Sequence, residues 1–337
     1  MPEETFMLTI GSGEFENIQV LGESKNRVLI VKQSNSRAPV IVKSEETKYE
    51  SGTRNNVGAM LQFHGTLFSK LKSLPFDTEK LTTSEINALK SCNPRIINGL
   101  KDNETWANLL NTQLLYSGTN RDIRTIVKIT YIEEIAGMNK IVQKDTEVNL
   151  IRDCFENGNA SRCSFIVELG QILTVDFFIG NHDRFNINGM LSGPQNVFFQ
   201  VINKEIKASG IDTYDFFGDW SDLNKTIEQI ENDKNIKWPG RILAHGAVSK
   251  RDALSKNAMI DILDVFYKGR FNFPVPTAIK NCPFSIESNR GQFLVTLFHK
   301  GISEGKAILR KKYNLDGNLS ALQSGVRSRW NIINGKY

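Results

Sequence analysis

The sequence predicts an α+β protein with two lobes, a β-rich N-terminal lobe and a mostly helical C-terminal lobe. Short apolar runs separated by turn-forming residues fill the start of the chain, a pattern typical of strands. Long apolar stretches at helical spacing follow from about residue 138 onward, with one hairpin pattern between them. No internal repeat or low-complexity linker divides the chain further, so we predict lobes at 1–134 and 135–337.

The N-terminal lobe is predicted to begin with three strands in the segment NIQVLGESKNRVLIVKQSNSRAPVIVKSEE. Turn-forming residues cluster between these strands, at Gly22–Asn26 and Ser34–Pro39. Apolar residues at helical spacing predict a helix over Val57–Leu71. Pro94 opens a short strand, and RTIVKITYIEEIAG is predicted as a buried strand that runs into a turn at Ala136–Gly137.

The C-terminal lobe is predicted to open with a core helix, because ASRCSFIVELGQILTVDFFIGN is densely apolar up to Gly180. The segment PQNVFFQVINKEIKASGIDT predicts a hairpin with a polar turn at Asn203–Lys204 and a second strand ending at Ile211–Asp212. The remaining sequence predicts amphipathic helices, of which GQFLVTLFHKGISEGKAILRKKY is the clearest.

Composition narrows the classes of protein to consider. The four cysteines are scattered without a C-x-x-C pair, which favours a reduced compartment and argues against structural zinc. The net charge is +5 without a long run of Lys or Arg, so no nucleic-acid partner is predicted. No transmembrane segment or signal peptide is predicted, and we expect a cytoplasmic location. The alternative location is a host cytosol, reached by a bacterial effector through another secretion route.

The segment GNHDRFNING follows the predicted core helix and concentrates polar side chains that are able to do chemistry. Such a cluster is often only a polar helix end facing water. In an enzyme, Asp183 would accept a proton from a hydroxyl, and Arg184 would fix the loop or neutralise charge. Zinc-hydrolase, serine-hydrolase and Walker A motifs are absent from the sequence.

Phosphoryl transfer needs a cation on the nucleotide phosphates, and the predicted sheet offers one. Lys43 closes VIVK and is similar to the V-A-I-K lysine of protein kinases, with Lys32 as the competing choice. Glu50 is the predicted carboxylate partner of this lysine, with Glu46 as the alternative. The turn that begins at Gly22 would cover the phosphates with backbone N–H groups.

Phosphoryl transfer from ATP also needs a contact for the adenine base and hard oxygen ligands for Mg²⁺. Backbone groups of Glu134 and Ala136 in YIEEIAG are predicted to face the adenine edge. Asp212, which follows the second strand of the hairpin, is the predicted metal carboxylate, with Asp215 as a second contact. The metal amide is left open between two asparagines: Asn188 has protein-kinase spacing from Asp183, and Asn196 lies at a strand start.

The segment LGQILTVDFFIGNHDRFNINGMLSGPQNVFF, followed by GIDT, resembles the catalytic segment of the actin-fragmin kinase family. It is more distantly similar to phosphatidylinositol 3-/4-kinases and HipA-type kinases. The resemblance implies a two-lobed protein-kinase-like fold, ATP and Mg²⁺ as cofactors, Asp183 as catalytic aspartate and Asp212 as metal aspartate. It also favours Asn196 over Asn188 as the metal amide.

By this resemblance the expected acceptor is Ser or Thr of a protein, such as a cytoskeletal or host protein, with an activating partner as a further expectation. A phosphoinositide or a small alcohol is the alternative acceptor, since the same motif serves lipid kinases. The chain could instead be a pseudokinase that acts as a binding module, or an enzyme that transfers AMP rather than phosphate.

Overall fold

The computed structural model describes parts of both predicted lobes, and the predicted helix over Val57–Leu71 lies outside the described residues. The described residues are 15–21, 28–34, 38–48, 78–102, 105–110, 123–179, 181, 184–185, 189–210, 251–268 and 281–313. They form an α+β fold with a sheet-rich first part and a mostly helical second part, which confirms the predicted fold class. No helix in these ranges is long and apolar enough to cross a membrane.

Six strands of the described N-terminal part form one sheet in the order β4-β6-β3-β2-β1-β5. They are β1 (Phe15–Leu21), β2 (Val28–Gln33), β3 (Val40–Lys48), β4 (Thr78–Lys80), β5 (Ile97–Asn98) and β6 (Ile123–Thr130). Neighbouring strands pair antiparallel except β1 with β5. The three-strand start of the chain is therefore confirmed, and so is the short strand after Pro94.

The two faces of this sheet have different surroundings because side chains alternate along each strand. Val42 of β3 lies opposite Leu29, and both are fully buried. They pack in a cluster with Leu89 of α1 (Thr83–Lys90) and Trp106 of α2 (Trp106–Leu109), helices that follow β4 in the chain. Lys43 alternates with Val42 and so belongs to the opposite face of the sheet.

The helix-covered face of the sheet also contains a buried cation. Lys128 of β6 lies opposite Val42, and its ammonium is 2.7 Å from Glu85 of α1 and 3.1 Å from Glu79 of β4. Glu85 also closes a capping box with Thr82 at the start of α1. The pair of Lys128 with Glu85 therefore fastens the helix to the sheet.

The link between the two parts of the chain differs from the sequence prediction. The predicted turn at Ala136–Gly137 is wrong, because both residues lie in strand β7 (Ile135–Gly137). The turn comes earlier, where Glu134 has a positive φ of 57°, a conformation for which glycine is the usual signal. Gly137 serves another purpose, since a Cβ there would lie 2.7 Å from the carbonyl oxygen of Gln195.

A second sheet of the order β7-β8-β9 lies against the helices of the C-terminal part. Strand β8 (Val197–Ile202) and strand β9 (Glu205–Gly210) form the predicted hairpin. Asn203 and Lys204 have φ of 52° and 68° in a two-residue turn between them, which confirms the predicted turn.

The helices of the C-terminal part surround one apolar core. Their bounds are α3 (Met138–Ile141), α4 (Asp145–Asn157), α5 (Ser164–Ile179), α6 (Arg251–Lys268) and α7 (Asn289–Tyr313). Phe165 and Leu169 of α5 are fully buried, as the dense apolar pattern predicts. The predicted core helix and the predicted C-terminal amphipathic helix are both confirmed.

Two arginines stabilise this core by binding carbonyl groups in the last turns of its helices. Arg152 of α4 donates two hydrogen bonds, of 2.9 and 2.7 Å, to the carbonyl of Phe266 near the end of α6. Arg290 of α7 donates to the carbonyls of Cys154 and Phe155 in α4 and, at 2.8 Å, to that of Gly158.

We expect Arg290→Ala to destabilise the protein by about 2 to 4 kcal/mol, because three carbonyl groups lose a charged donor. Arg290→Lys should recover only part of this, since an ammonium lacks the planar fork of the guanidinium. Urea unfolding measures both values. Arg162→Ala, which removes a half-exposed ion pair with Asp153, is the control and should change the stability far less than Arg290→Ala. An equal loss from Arg162→Ala and Arg290→Ala would contradict the capping role.

Candidate functional site

Two polar residues that follow α5, Asn181 and Arg184, bind one buried carboxylate. Asp176 lies in the last turn of α5 and is fully buried. Its Oδ2 accepts a hydrogen bond of 2.8 Å from Nε of Arg184, and its Oδ1 accepts a second, shorter one from Nη2. The side-chain amide of Asn181 donates to Oδ1 at 2.9 Å. Asn181 and Arg184 therefore both bind back to the helix they follow.

This pairing specifies the position of Arg184. Its guanidinium has no exposed surface, and a planar fork that binds a carboxylate with two N–H groups fixes both distance and orientation. Of the two predicted roles, fixing the loop is the one that this geometry serves. Its carbonyl is bound too, accepting from the N–H groups of Ser192 at 2.8 Å and Gly193 at 3.3 Å.

The guanidinium of Arg184 also packs against the end of strand β9. A Cβ built on Gly210 would lie 2.8 Å from Cζ of Arg184, so glycine is what allows this close approach. Gly210 is paired with Val197, the first residue of β8. Arg184, Val197 and Gly210 thus lie together at one end of the hairpin. In the sequence, Arg184 follows Asp183, Val197 follows Asn196, and Gly210 precedes Asp212 by two residues.

The chain between Arg184 and Val197 is held from the side of α6. The N–H of Leu191 donates to Oδ2 of the buried Asp261 at 2.9 Å. Gly189 has a φ of 76°, and a Cβ there would lie 2.5 Å from the carbonyl oxygen of Leu254. Phe185 bridges to Leu191, and both side chains are buried in the apolar core.

Asn196, one of the two predicted metal amides, lies just before strand β8. It is the last residue of a 3₁₀ turn (Pro194–Asn196), it is half-buried, and its N–H donates to the carbonyl of Gly193 at 3.0 Å. Six predicted site residues lie outside the described residues: Gly22, Glu50, Asp183, Asn188, Asp212 and Asp215. No group of three acidic, Cys or His side chains able to hold a metal occurs in the described ranges.

Lys43 lies on strand β3 with its side chain almost fully buried. It forms an ion pair of 2.5 Å with Glu45, a carboxylate that the sequence prediction missed. The available signal was spacing, because residues two apart on a strand share a face. The competing Lys32 is half-exposed and pairs with Glu16 at 3.1 Å.

The predicted base-binding residues lie where the two sheets are joined. Glu134 is exposed in the turn after β6, and the preceding carbonyl, of Glu133, accepts from the side chain of Gln200 at 2.9 Å. Ala136 is paired with Phe199 inside the second sheet. Phe198 points away from the helical core by alternation and is half-buried.

Glu168 of α5 is a buried carboxylate that sequence reasoning did not single out. Its Oε2 accepts a hydrogen bond of 2.6 Å from the N–H of Ala208, on the outer strand of the three-stranded sheet. Burial raises the pKa of Glu168 to about 8, and the N–H donor opposes this only in part. Glu168 thus supplies a hydrogen-bond acceptor for an N–H group of the edge strand β9, where a neighbouring strand would otherwise supply one.

We expect Glu168→Gln to flatten the pH dependence of stability. The pKa of Glu168 is raised from 4.5 to about 8 on folding, because the folded protein favours the protonated side chain. The resulting contribution to folding stability is complete below pH 4.5 and is lost as pH rises to 8. The melting temperature of Glu168→Gln minus that of the wild type should therefore increase between pH 5 and 8.5. We expect an increase of several degrees, because each kcal/mol shifts the melting temperature of a large domain by about 2 °C. Glu133→Gln, an exposed carboxylate, is the control, and a constant difference for Glu168→Gln would contradict the raised pKa.

The sequence matches no protein-family model and no curated protein. Among solved structures it is similar to a crystal structure of the Golgi casein kinase with Mn/ADP bound, at 11% identity and a TM-score of 0.30. That likeness covers 86% of this chain and 72% of the other. A second crystal structure of the Golgi casein kinase gives 10% identity and a TM-score of 0.30 over 92% of this chain and 76% of the other. These values are too low to assign a family or an activity.

Proposed function

We propose that this protein is an ATP- and Mg²⁺-dependent phosphotransferase with a protein-kinase-like fold. The observation that carries the proposal is the contact of Arg184 with Gly210 at the end of the β8–β9 hairpin. This contact brings together residues that are close in sequence to Asp183, Asn196 and Asp212. A phosphotransferase needs its catalytic aspartate and its metal ligands close together. A polar helix end facing water would not require a fully buried arginine at that place.

The N-terminal sheet supports the same proposal. The phosphate-binding lysine of protein kinases lies on the third strand, and Lys43 lies on β3 here. Its ion pair with Glu45 holds the ammonium on the sheet face that is not covered by α1 and α2. In the proposed reaction this ammonium binds phosphate oxygens, and Glu45 takes the orienting role predicted for Glu50.

Two residues next to the hairpin in sequence have the side-chain chemistry that a hard divalent cation prefers. The amide oxygen of Asn196 and the carboxylate of Asp212 would hold Mg²⁺, which would neutralise charge on the phosphates when bound. Asp183 would accept the hydrogen bond of the acceptor hydroxyl and orient it for attack. Arg184, the residue after Asp183, is buried against Asp176 and would fix the position of the chain next to Asp183.

The acceptor is proposed to be Ser or Thr of a protein, following the resemblance to the actin-fragmin kinase family, with a cytoskeletal or host protein and an activating partner as further parts of the proposal. A phosphoinositide is the alternative acceptor. AMP transfer and a binding-only pseudokinase are competing functions, and labelled ATP separates them from phosphoryl transfer.

The test is incubation of the protein with γ-labelled and, separately, α-labelled ATP, with Mg²⁺ or with EDTA, alone and with cell lysate or phosphoinositide vesicles. Label from γ-ATP on protein, present with Mg²⁺ and absent with EDTA, is the expected result. Label on lipid alone would change the acceptor, and label from α-ATP alone would replace phosphoryl transfer by AMP transfer. No label and no ATP hydrolysis in any sample would leave a binding module.

We expect Asn196→Ala to lower turnover much more than Asn188→Ala, by about 100-fold or more, and to raise the Mg²⁺ concentration needed for half-maximal rate. The reason is that Asn196 directly precedes Val197, which pairs with Gly210 near Asp212, whereas Gly189 beside Asn188 packs on α6. Initial rates across a Mg²⁺ titration measure both effects. The opposite order of the two variants would assign the metal amide to Asn188.

A further inference from the structure

Asp176 is a buried charged residue that takes no direct part in the proposed reaction. It has no exposed surface, and it lies on α5 rather than on the loop that carries Asp183. Its carboxylate binds both Arg184 and Asn181, and its carbonyl accepts the N–H of Asn181 at 2.8 Å. The residues before and after His182–Asp183 are thus fastened to one side chain.

We propose that Asp176 is a positioning residue of the phosphotransfer reaction, acting through Arg184. The carboxylate holds the guanidinium in one plane, and that plane lies against Gly210, two residues before Asp212. Asp176 thereby sets the distance between Arg184, the residue after Asp183, and Gly210, which precedes Asp212 by two residues. This inference rests on the proposed function, because it assigns Asp183 and Asp212 to one reaction.

Stability alone does not account for a charged pair at this place. Taking two charges out of water offsets most of their attraction, and well-packed apolar residues of similar volume often replace such a pair without loss of stability. What apolar residues cannot reproduce is the fixed direction of a two-point hydrogen bond between a fork and a carboxylate. Geometry is therefore the property that the pair of Asp176 and Arg184 supplies beyond apolar packing.

The contact with Gly210 shows where that geometry acts. A Cβ at Gly210 would lie 2.8, 2.9 and 3.0 Å from Cζ, Nη1 and Nε of Arg184, so the guanidinium packs directly on the strand backbone. The backbone carbonyl of Arg184 is meanwhile bound by Ser192 and Gly193, just before the turn that contains Asn196. A shift of Arg184 would move the loop relative to both Asn196 and the end of β9.

The experiment separates positioning from stability by comparing single variants with a charge-free double variant. Asp176→Asn and Arg184→Met each leave one buried charge without its counter-charge, and we expect both to lower the melting temperature. In Asp176→Leu with Arg184→Met the melting temperature should recover part of this loss, because no buried charge remains, although the side-chain amide of Asn181 still loses its acceptor. The kcat for γ-phosphate transfer should stay reduced by about 100-fold or more in the double variant, with the KM for ATP changed by less than about threefold.

Arg184→Lys provides a second measurement, because it keeps the charge and loses the fork. We expect its kcat to fall as in the double variant, while Asp153→Asn, in a half-exposed pair with Arg162, keeps wild-type kcat. If the folded double variant or the folded Arg184→Lys variant has wild-type kcat, the pair is structural only and the inference is overturned. A wild-type protein that transfers no phosphate would refute the proposed function itself, and the inference with it.

Discussion

Replacing Asp183 by asparagine should lower the kcat for phosphate transfer by roughly 100- to 10,000-fold. An amide has nearly the same shape as a carboxylate but does not take up the proton of the attacking hydroxyl. Binding of ATP should change little, because the proposed nucleotide contacts come from Lys43 and from the Mg²⁺ ligands. Rates of label transfer from γ-ATP measure the first effect, and the ATP dissociation constant, from calorimetry, measures the second.

The matched control for this prediction is Asp153→Asn on the outer face of α4. Asp153 is also an aspartate in an ion pair, with Arg162, but it lies in a half-exposed pair outside the proposed site. We expect Asp153→Asn to keep the wild-type rate. A wild-type rate in Asp183→Asn would remove Asp183 from the reaction. A loss of ATP binding equal to the loss of rate would instead make it a nucleotide-binding residue.

Predictions from the sequence succeeded where the signal is local. The alternation in β1, β2 and β3, the dense apolar run of α5 and the polar pair Asn203–Lys204 all specify structure through neighbours in the chain. The predicted turn at Ala136–Gly137 was wrong because it relied on the same kind of local signal, the presence of a glycine. Glu134 takes a left-handed conformation without a glycine, while the glycine nearby is needed for close packing on Gln195.

Contacts between distant residues were beyond the sequence patterns. Glu85 and Lys128 are separated by 43 residues and meet only because β6 pairs beside β4. The sequence identified Arg184 as part of a polar cluster, yet its contact with Gly210 depends on how the β8–β9 hairpin packs on α5. The residue types of a site can thus be predicted from spacing, whereas the side chains that position them come from tertiary packing.

The crossing of α5 and α7 connects the fold to the site, because α5 carries Asp176 at its end. At this crossing the helix backbones touch. A Cβ built on Gly301 of α7 would lie 2.0 Å from the carbonyl oxygen of Val167 and 2.9 Å from Cα of Gly170. No rotamer relieves such an overlap, since a methyl group has no freedom to move away and the atoms it meets are backbone.

We expect Gly301→Ala to destabilise the protein by about 3 kcal/mol or more, since α7 must move away from α5 to admit the methyl group. The sign is informative, because Gly→Ala within an exposed helix stabilises by up to about 1 kcal/mol. Gly305→Ala should cost less, as its Cβ would lie 2.9 to 3.2 Å from side-chain atoms of Thr174 rather than against backbone. Urea unfolding of both variants, with the exposed Ser303→Ala as control, gives the comparison. A Gly301→Ala variant as stable as the wild type would show that α5 and α7 are not in backbone contact, and α5 would then lose the support that we assign to it.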